Sequence, residues 1–306
     1  MPKSQLVVVR YDIRVNERDV LRLGTNWVDN NGGFIEAAST FLYQPEHLDS
    51  PISLQFKLPS SWQIVTPMRA TSGGGYAGDN YRQLLDSPIQ FGRLQERTVS
   101  VGQVRCRLVF DAQLPAYDER AFDENIRKII AYEMKLMGGA PFQEYTVLFH
   151  WRPDLDYGGG IEHGRAMIMN VGKQWMLDLP TNVSGTFAHE LFHAWNAGAV
   201  HPRDLDKWDY TRENYTRLMW FIEGVTNYYA TLVLRRTGIR PRESFYDVLS
   251  RTVSAYENEP GRGLVTLVDA GIAEWIRPVE GLDYYSGGEV IGFLLDLEIR
   301  IATQRP

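Results

Sequence analysis

The chain has 306 residues, 44% of them hydrophobic and 23% charged, and carries a formal net charge of −6. That length allows two domains and a sizeable core, and a mildly acidic balance gives no electrostatic footprint for nucleic acid. The single Cys106 excludes an internal disulfide framework and any cysteine-based metal site, and no apolar run approaches the roughly 20 residues of a membrane-spanning helix.

With no signal sequence at its start, the chain is expected in the cytoplasm, where a lone thiol stays reduced. Leu6-Val7-Val8-Val9 reads as the start of a strand, and Tyr11 to Val15 and Ile52 to Leu58 alternate apolar and polar residues as half-buried strands do. Turn clusters at 29–33, 59–61 and 71–78 separate the strands. Cys106 lies in a strand-like stretch, 104–109, and reads as core. Residues 1–116 are therefore expected to form a β-rich, sandwich-like domain without catalytic groups, ending at the junction Leu114-Pro115-Ala116-Tyr117-Asp118.

From residue 117 to 306 the pattern changes to helices around a small sheet. Ile126, Ile129, Ile130, Met134 and Met137 recur at helical spacing, and Gly138-Gly139 ends that helix. Tyr145–Trp151 and Ala166–Met169 read as strands, flanking the glycine run Gly158-Gly159-Gly160 and Glu162. Glycines let a substrate backbone approach closely, and a carboxylate beside them can hold a charged amine. Further helices are expected over 218–236, 242–257 and 290–301. The last, with Ile291, Phe293, Leu294, Leu295 and Leu297, needs a partner surface, so the chain is expected to be part of a longer protein.

The chemistry centres on His189-Glu190-Leu191-Phe192-His193. Helix positions four apart share a face, so His189 and His193 can address one metal ion, while Glu190 lies beside that face, placed to polarise a water. Phe187, Leu191, Phe192 and Trp195 make the helix apolar, and a polar pair in such a helix needs something to satisfy it. Ser184 or Thr186 is expected to cap this helix and Gly198 to end it. Two imidazoles and one carboxylate suit zinc, one ion per chain, with a coordination position left open for reaction. Two acids compete for the third place. Glu213 lies twenty residues past His193 in a polar connector, and Glu223 lies thirty past it in an aromatic helix. A buried carboxylate needs a cation, so Glu223 is preferred, with Asn227 four residues on as its brace.

His189 to Asn196, read with Trp220-Phe221-Ile222-Glu223-Gly224-Val225-Thr226-Asn227-Tyr228-Tyr229, closely resembles the glycyl aminopeptidase family of gluzincin metallopeptidases. Gly159-Gly160-Ile161-Glu162-His163 is similar to that family's amine-recognition loop, and Tyr284-Tyr285-Ser286-Gly287-Gly288 to its tyrosine-bearing segment. Leu58 to Trp62, Leu85 to Pro88 and Leu295 to Arg300 also look like family landmarks, so the likeness spans nearly the whole chain. The sequence departs from the usual pattern at Gly287, where members carry Lys, and at Ala166, where they carry Ser. The resemblance implies an α+β architecture, a β-sandwich-like domain followed by a thermolysin-like zinc peptidase domain whose helical lobe continues past this end. It implies an aminopeptidase that cleaves the first bond of a peptide, with small residues such as Gly or Ala preferred. Tyr285 would donate a hydrogen bond to the oxyanion, and Gly159, Gly160 and Glu162 would bind the substrate's amino end. Two other readings stay open at this level: a zinc endopeptidase, and a catalytically incomplete homologue that only binds peptide or protein.

Overall fold

The structure, a computed structural model, describes residues 7–15, 26–273 and 282–304. It divides into two units, Met1–Leu94 and Gln95–Pro306.

The first unit is built from short strands: β1 (Trp27–Val28), β2 (Gly32–Ile35), β3 (Ile52–Leu54), β4 (Gln63–Val65), β5 (Arg69–Ala70), β6 (Tyr76–Gly78) and, after helix α1 (Tyr81–Leu85), β7 (Ile89–Gly92). Two antiparallel sheets result, ordered β1-β2-β7-β4 and β3-β6-β5. Phe34, Val65, Ile89 and Phe91 are buried, and Trp62 stacks on Phe91 at 5.7 Å. Asn80 caps α1 by accepting from Gln83 N. The expected early strands do not form among the described residues. Leu6 lies outside them, 7–14 are exposed without ladder partners, and the alternation at Ile52 pairs only as far as Leu54. Alternation supplies a face, but a strand also needs a neighbour to take its main-chain groups.

In the second unit β8 (Gln95–Val101) and β9 (Val104–Phe110) form a hairpin, followed by α2 (Glu119–Met137), β10 (Glu144–Arg152), β11 (Gly159–His163) and β12 (Ala166–Gly172). Then come α3 (Leu179–Phe192), a π turn at Trp220–Val225 running into α4 (Thr226–Arg236), α5 (Arg242–Glu257), α6 (Leu267–Ile272) and α7 (Tyr284–Thr303). The sheet order is β11-β12-β10-β9-β8, parallel across β9, β10 and β12 and antiparallel at both edges. All seven residues of β12 are buried, as expected for a central strand covered on both faces. Asp118 caps α2 and Gly138, at φ 78°, ends it in the left-handed conformation, as the glycine pair predicted.

The boundary between units is a correction. The expected junction at 114–118 lies inside the second unit, because the β8–β9 hairpin belongs to that unit's five-stranded sheet through the parallel pairing of β9 with β10. Arg97 on β8 stacks over Phe110, Tyr117 and Phe122 and pairs with Asp123 at 3.0 Å, tying the hairpin to α2. Cys106 is fully buried in β9, where burial pushes its thiol far above the ordinary range, so it is core as expected. The cap assignments for α3 are also corrected. Asp178 accepts from Thr181 N at the helix start, whereas Ser184 sits a turn further in and donates to Pro180 O at 2.6 Å. The helix ends at Phe192, and Gly198 lies in the tight turn that follows. No helix among the described residues is long and apolar enough to cross a membrane.

Candidate active site

α3 runs through the core with Val183, Phe187, Ala188 and Leu191 fully buried, which points His189 and His193 away from the sheet on one face. Against that face lies the π turn with Glu223. The Nε2 atoms of the two imidazoles are 3.0 Å apart, and Glu223 Oε2 is 3.2 Å from His189 Nε2 and 3.4 Å from His193 Nε2. Zinc with bonds of about 2.0–2.1 Å in tetrahedral array holds neighbouring ligand atoms about 3.3 Å apart. This triangle therefore fits zinc. Glu213, the acid favoured by the shorter spacing, is exposed in the connector and outside every candidate ligand group among the described residues.

A second cluster overlaps the first: ligand atoms of Glu162, Glu190 and His193 all lie within 4.8 Å of one another. Glu190 is buried, with 6% of its surface exposed, and burial pushes its carboxyl up to about 8, with the neighbouring Glu162 charge adding to the shift. Burial by itself would lower His193 and raise Glu223. The hydrogen bond with Glu223 outweighs burial at His193, and the bonds with His189 and then His193 outweigh it at Glu223, so His193 rises and Glu223 falls. Three carboxylates gathered about two imidazoles make an electron-rich donor set that a divalent cation would neutralise, a second reason it suits a metal.

Gly160 on the edge strand β11 lies directly over Glu190. A Cβ at this position would come 2.4 Å from Glu190 Cγ, so only glycine lets the strand pass so close. Two residues on, Glu162 is half-buried, and Gly159 pairs with Asn170 of β12. Tyr285 comes from the start of α7, where Asp283 accepts from the N–H groups of Tyr285 and Ser286 at 2.9 and 3.0 Å. Its ring stacks on His189 at 6.4 Å between centroids, and Glu223 lies close enough for its charge to act on the hydroxyl. Burial, followed by the Glu223 charge, pushes the phenol well above its ordinary range, so it remains a donor.

Of the residues singled out by sequence, His189, Glu190, His193, Glu223, Gly160, Glu162 and Tyr285 thus converge on one place. Asn227 does not serve as the brace: no hydrogen bond joins it to Glu223 among the described residues. Two features escaped the sequence reading. Asn196, three residues past His193, donates to Phe221 O, Ile222 O and Thr226 Oγ1 within the turn. Gly224 and Gly288 let that turn and α7 cross in backbone contact, a Cβ on Gly224 meeting Gly288 Cα at 2.3 Å. An isolated glycine inside a helical pattern was the available signal for the crossing. A Cβ on Gly287 would meet Leu267 Cδ2 at 2.5 Å and Tyr256 Cε2 at 2.9 Å, so a longer side chain there requires those two side chains to shift.

Two sequence models of one family match the chain, the M61 glycyl aminopeptidase over residues 182–291 and the M61 N-terminal domain over residues 1–93. No curated protein matches it. Among solved structures, an aminopeptidase N family protein from Idiomarina loihiensis superposes with a TM-score of 0.85 at 24% identity, over 91% of this chain and 51% of that one. An M1 zinc metallopeptidase from Deinococcus radiodurans superposes with a TM-score of 0.53 at 17% identity, over 90% of this chain and 59% of that one. A mutant of an M1 zinc metallopeptidase from the same organism, bound to a Tyr-Ser-Ala substrate, gives 0.54 at 15% identity, over 94% and 62%. At these identities the likeness establishes the aminopeptidase N-like fold. The chain spans about half the length of the Idiomarina protein.

Proposed function

We propose, for a chain that belongs to the M61 glycyl aminopeptidase family, that it is a zinc-dependent aminopeptidase hydrolysing the first peptide bond of its substrate. The observation that carries the reading is the triangle of 3.0, 3.2 and 3.4 Å formed by His189, His193 and Glu223, with Glu190 beside it. Zinc held there supplies a Lewis acid that lowers the pKa of water and polarises the scissile carbonyl.

The remaining steps belong to the chain's own residues. Glu190 stands next to the triangle without joining it, so its carboxylate takes the proton of the attacking water and returns it to the leaving amine. Burial, with the Glu162 charge adding to it, raises this carboxyl's affinity for the proton it takes. Tyr285, kept protonated, donates a hydrogen bond to the oxygen that gains charge in the tetrahedral state. As the edge of its sheet, β11 can pair with an extended peptide, and Gly160 lets that peptide approach over Glu190. Glu162 then meets the free α-ammonium group, which confines cleavage to chain ends. The family's name favours glycine, and with it small first residues.

The test is metal content of the purified chain together with hydrolysis of Gly- and Ala-anilides, with and without chelator, alongside Glu190→Gln. One zinc per chain, chelator-sensitive turnover, and a Glu190→Gln protein that keeps zinc but loses turnover are expected. Full turnover in Glu190→Gln, or a chain that takes no zinc, would overturn the reading.

A further inference from the structure

We infer that Asn196 is a positioning residue that locks the two ligand-bearing elements to each other, and so sets zinc affinity without touching the metal. The inference rests on the zinc-site reading above. Asn196 works through both its main chain and its side chain. Its carbonyl oxygen is 3.0 Å from His193 Nδ1. A carbonyl can only accept, so Nδ1 carries a proton and Nε2 is left to face the ligand triangle. Its side-chain Nδ2 donates to Phe221 O at 3.2 Å, Ile222 O at 3.0 Å and Thr226 Oγ1 at 3.0 Å, the residues on either side of Glu223.

The π turn explains why such a donor is needed. Its N–H groups reach back five residues instead of four, so at its junction with an α-helix the carbonyls lose their regular partners. Ile222 is buried, so water is a poor substitute at its carbonyl, and a buried carbonyl without a partner is costly. Asn196 is itself buried, with 8% of its surface exposed, and it brings two amide hydrogens to three acceptors. The chain spends conformational strain to hold it there. Ala197, immediately after it, has φ 92°, the left-handed region that an L-residue with a Cβ seldom enters. The turn that enforces this is closed by Ala197 N donating to Val200 O, Gly198 N to His193 O and Val200 N to Trp195 O, at 2.8 to 2.9 Å. Without Asn196 the distance between the imidazoles and Glu223 would depend only on the packing of α3 against the π turn. With it, one side chain fixes the orientation of a ligand on the first element and the backbone beside a ligand on the second.

The test is a zinc titration by chelator competition on the wild-type chain, Asn196→Asp and Asn196→Ala, with circular dichroism and thermal melts of each protein before zinc is added. Asn196→Asp is isosteric but turns an acceptor toward two carbonyls, and Asn196→Ala removes the donor. Both are expected to fold and to bind zinc about 10–100-fold more weakly than wild type. A purely structural residue would lower the melting temperature and leave the zinc Kd of the folded protein unchanged, and that result overturns the inference. Failure of both variants to fold assigns Asn196 to the fold and overturns it equally. If the wild-type chain takes no zinc, the zinc-site reading itself has failed, an outcome the same titration separates from equal binding by all three proteins.

Discussion

Gly288→Ala sets two physical effects against each other in one substitution. In the interior of a helix alanine is favoured over glycine by about 1 kcal/mol, so propensity alone forecasts a more stable α7. The crossing with the π turn forecasts the reverse. The new Cβ would sit 2.1 Å from Trp220 O and 2.9 Å from Gly224 Cα, both main-chain atoms that cannot rotate aside. Reaching an ordinary contact of 3.4 Å requires the two backbones to part by about 1.3 Å at that point. Overpacking of this kind costs about 1–3 kcal/mol, so the net loss after the propensity gain is about 0–2 kcal/mol. For a unit of this size each kcal/mol moves Tm by about 2–4 °C, a modest change. Activity is a different matter. Tyr285 lies three residues before Gly288 and Glu223 directly before Gly224, so the opening separates the proposed oxyanion donor and the proposed metal ligand from the rest of the site. A displacement of about 1 Å costs about a hundredfold in rate. With zinc saturating, kcat for an alanine anilide is therefore expected to fall about a hundredfold while Tm changes by only a few degrees. Unchanged kcat, or a Tm raised by the full propensity gain, would refute the reasoning.

Glu133 on α2 is fully buried, and neither of its carboxyl oxygens has a hydrogen-bond partner among the described residues. Burial raises its pKa well above 4.5, so the stability tied to the protonated form is present below that value and lost as pH rises through the folded pKa. Glu133→Gln should match wild type near pH 4.5 and exceed it at pH 8 by about 1–3 kcal/mol, the cost of an unpaired buried polar group. Thermal melts across that range measure it, and a difference flat with pH counts against the assignment. Glu162→Ala removes a charge-assisted bond worth about 1.5–3 kcal/mol, so KM for peptides with a free amino end should rise about 10–100-fold. Zinc content should stay at one per chain, and equal effects on acetylated peptides would contradict an amine anchor.

The spacing of His189 and His193, the apolar run around them and the glycines before Glu162 were legible because each is local. A helix repeats every few residues wherever it sits, and a glycine's freedom is its own. The helix limits at Gly138 and over Arg242–Glu257 were legible for the same reason. The choice of Glu223 over Glu213 rested on an argument about burial, and the geometry that supports it is a contact between elements thirty residues apart. What failed were statements that need a partner. Alternation around Tyr11 forms no strand without a neighbour, and the proline-bearing stretch at 114–118 is no boundary when the hairpin before it pairs with the sheet after it. Asn227 was placed by helical spacing alone, and a shared face does not by itself make a hydrogen bond. The sequence by itself determined which chemistry the chain carries, since ligand types and their helical spacing are properties of residues. Tertiary structure alone decided how that chemistry is held together: the π turn, its buried carbonyls satisfied by Asn196, and a glycine crossing that brings Tyr285 to Glu223 arise only where separate elements compete for the same space.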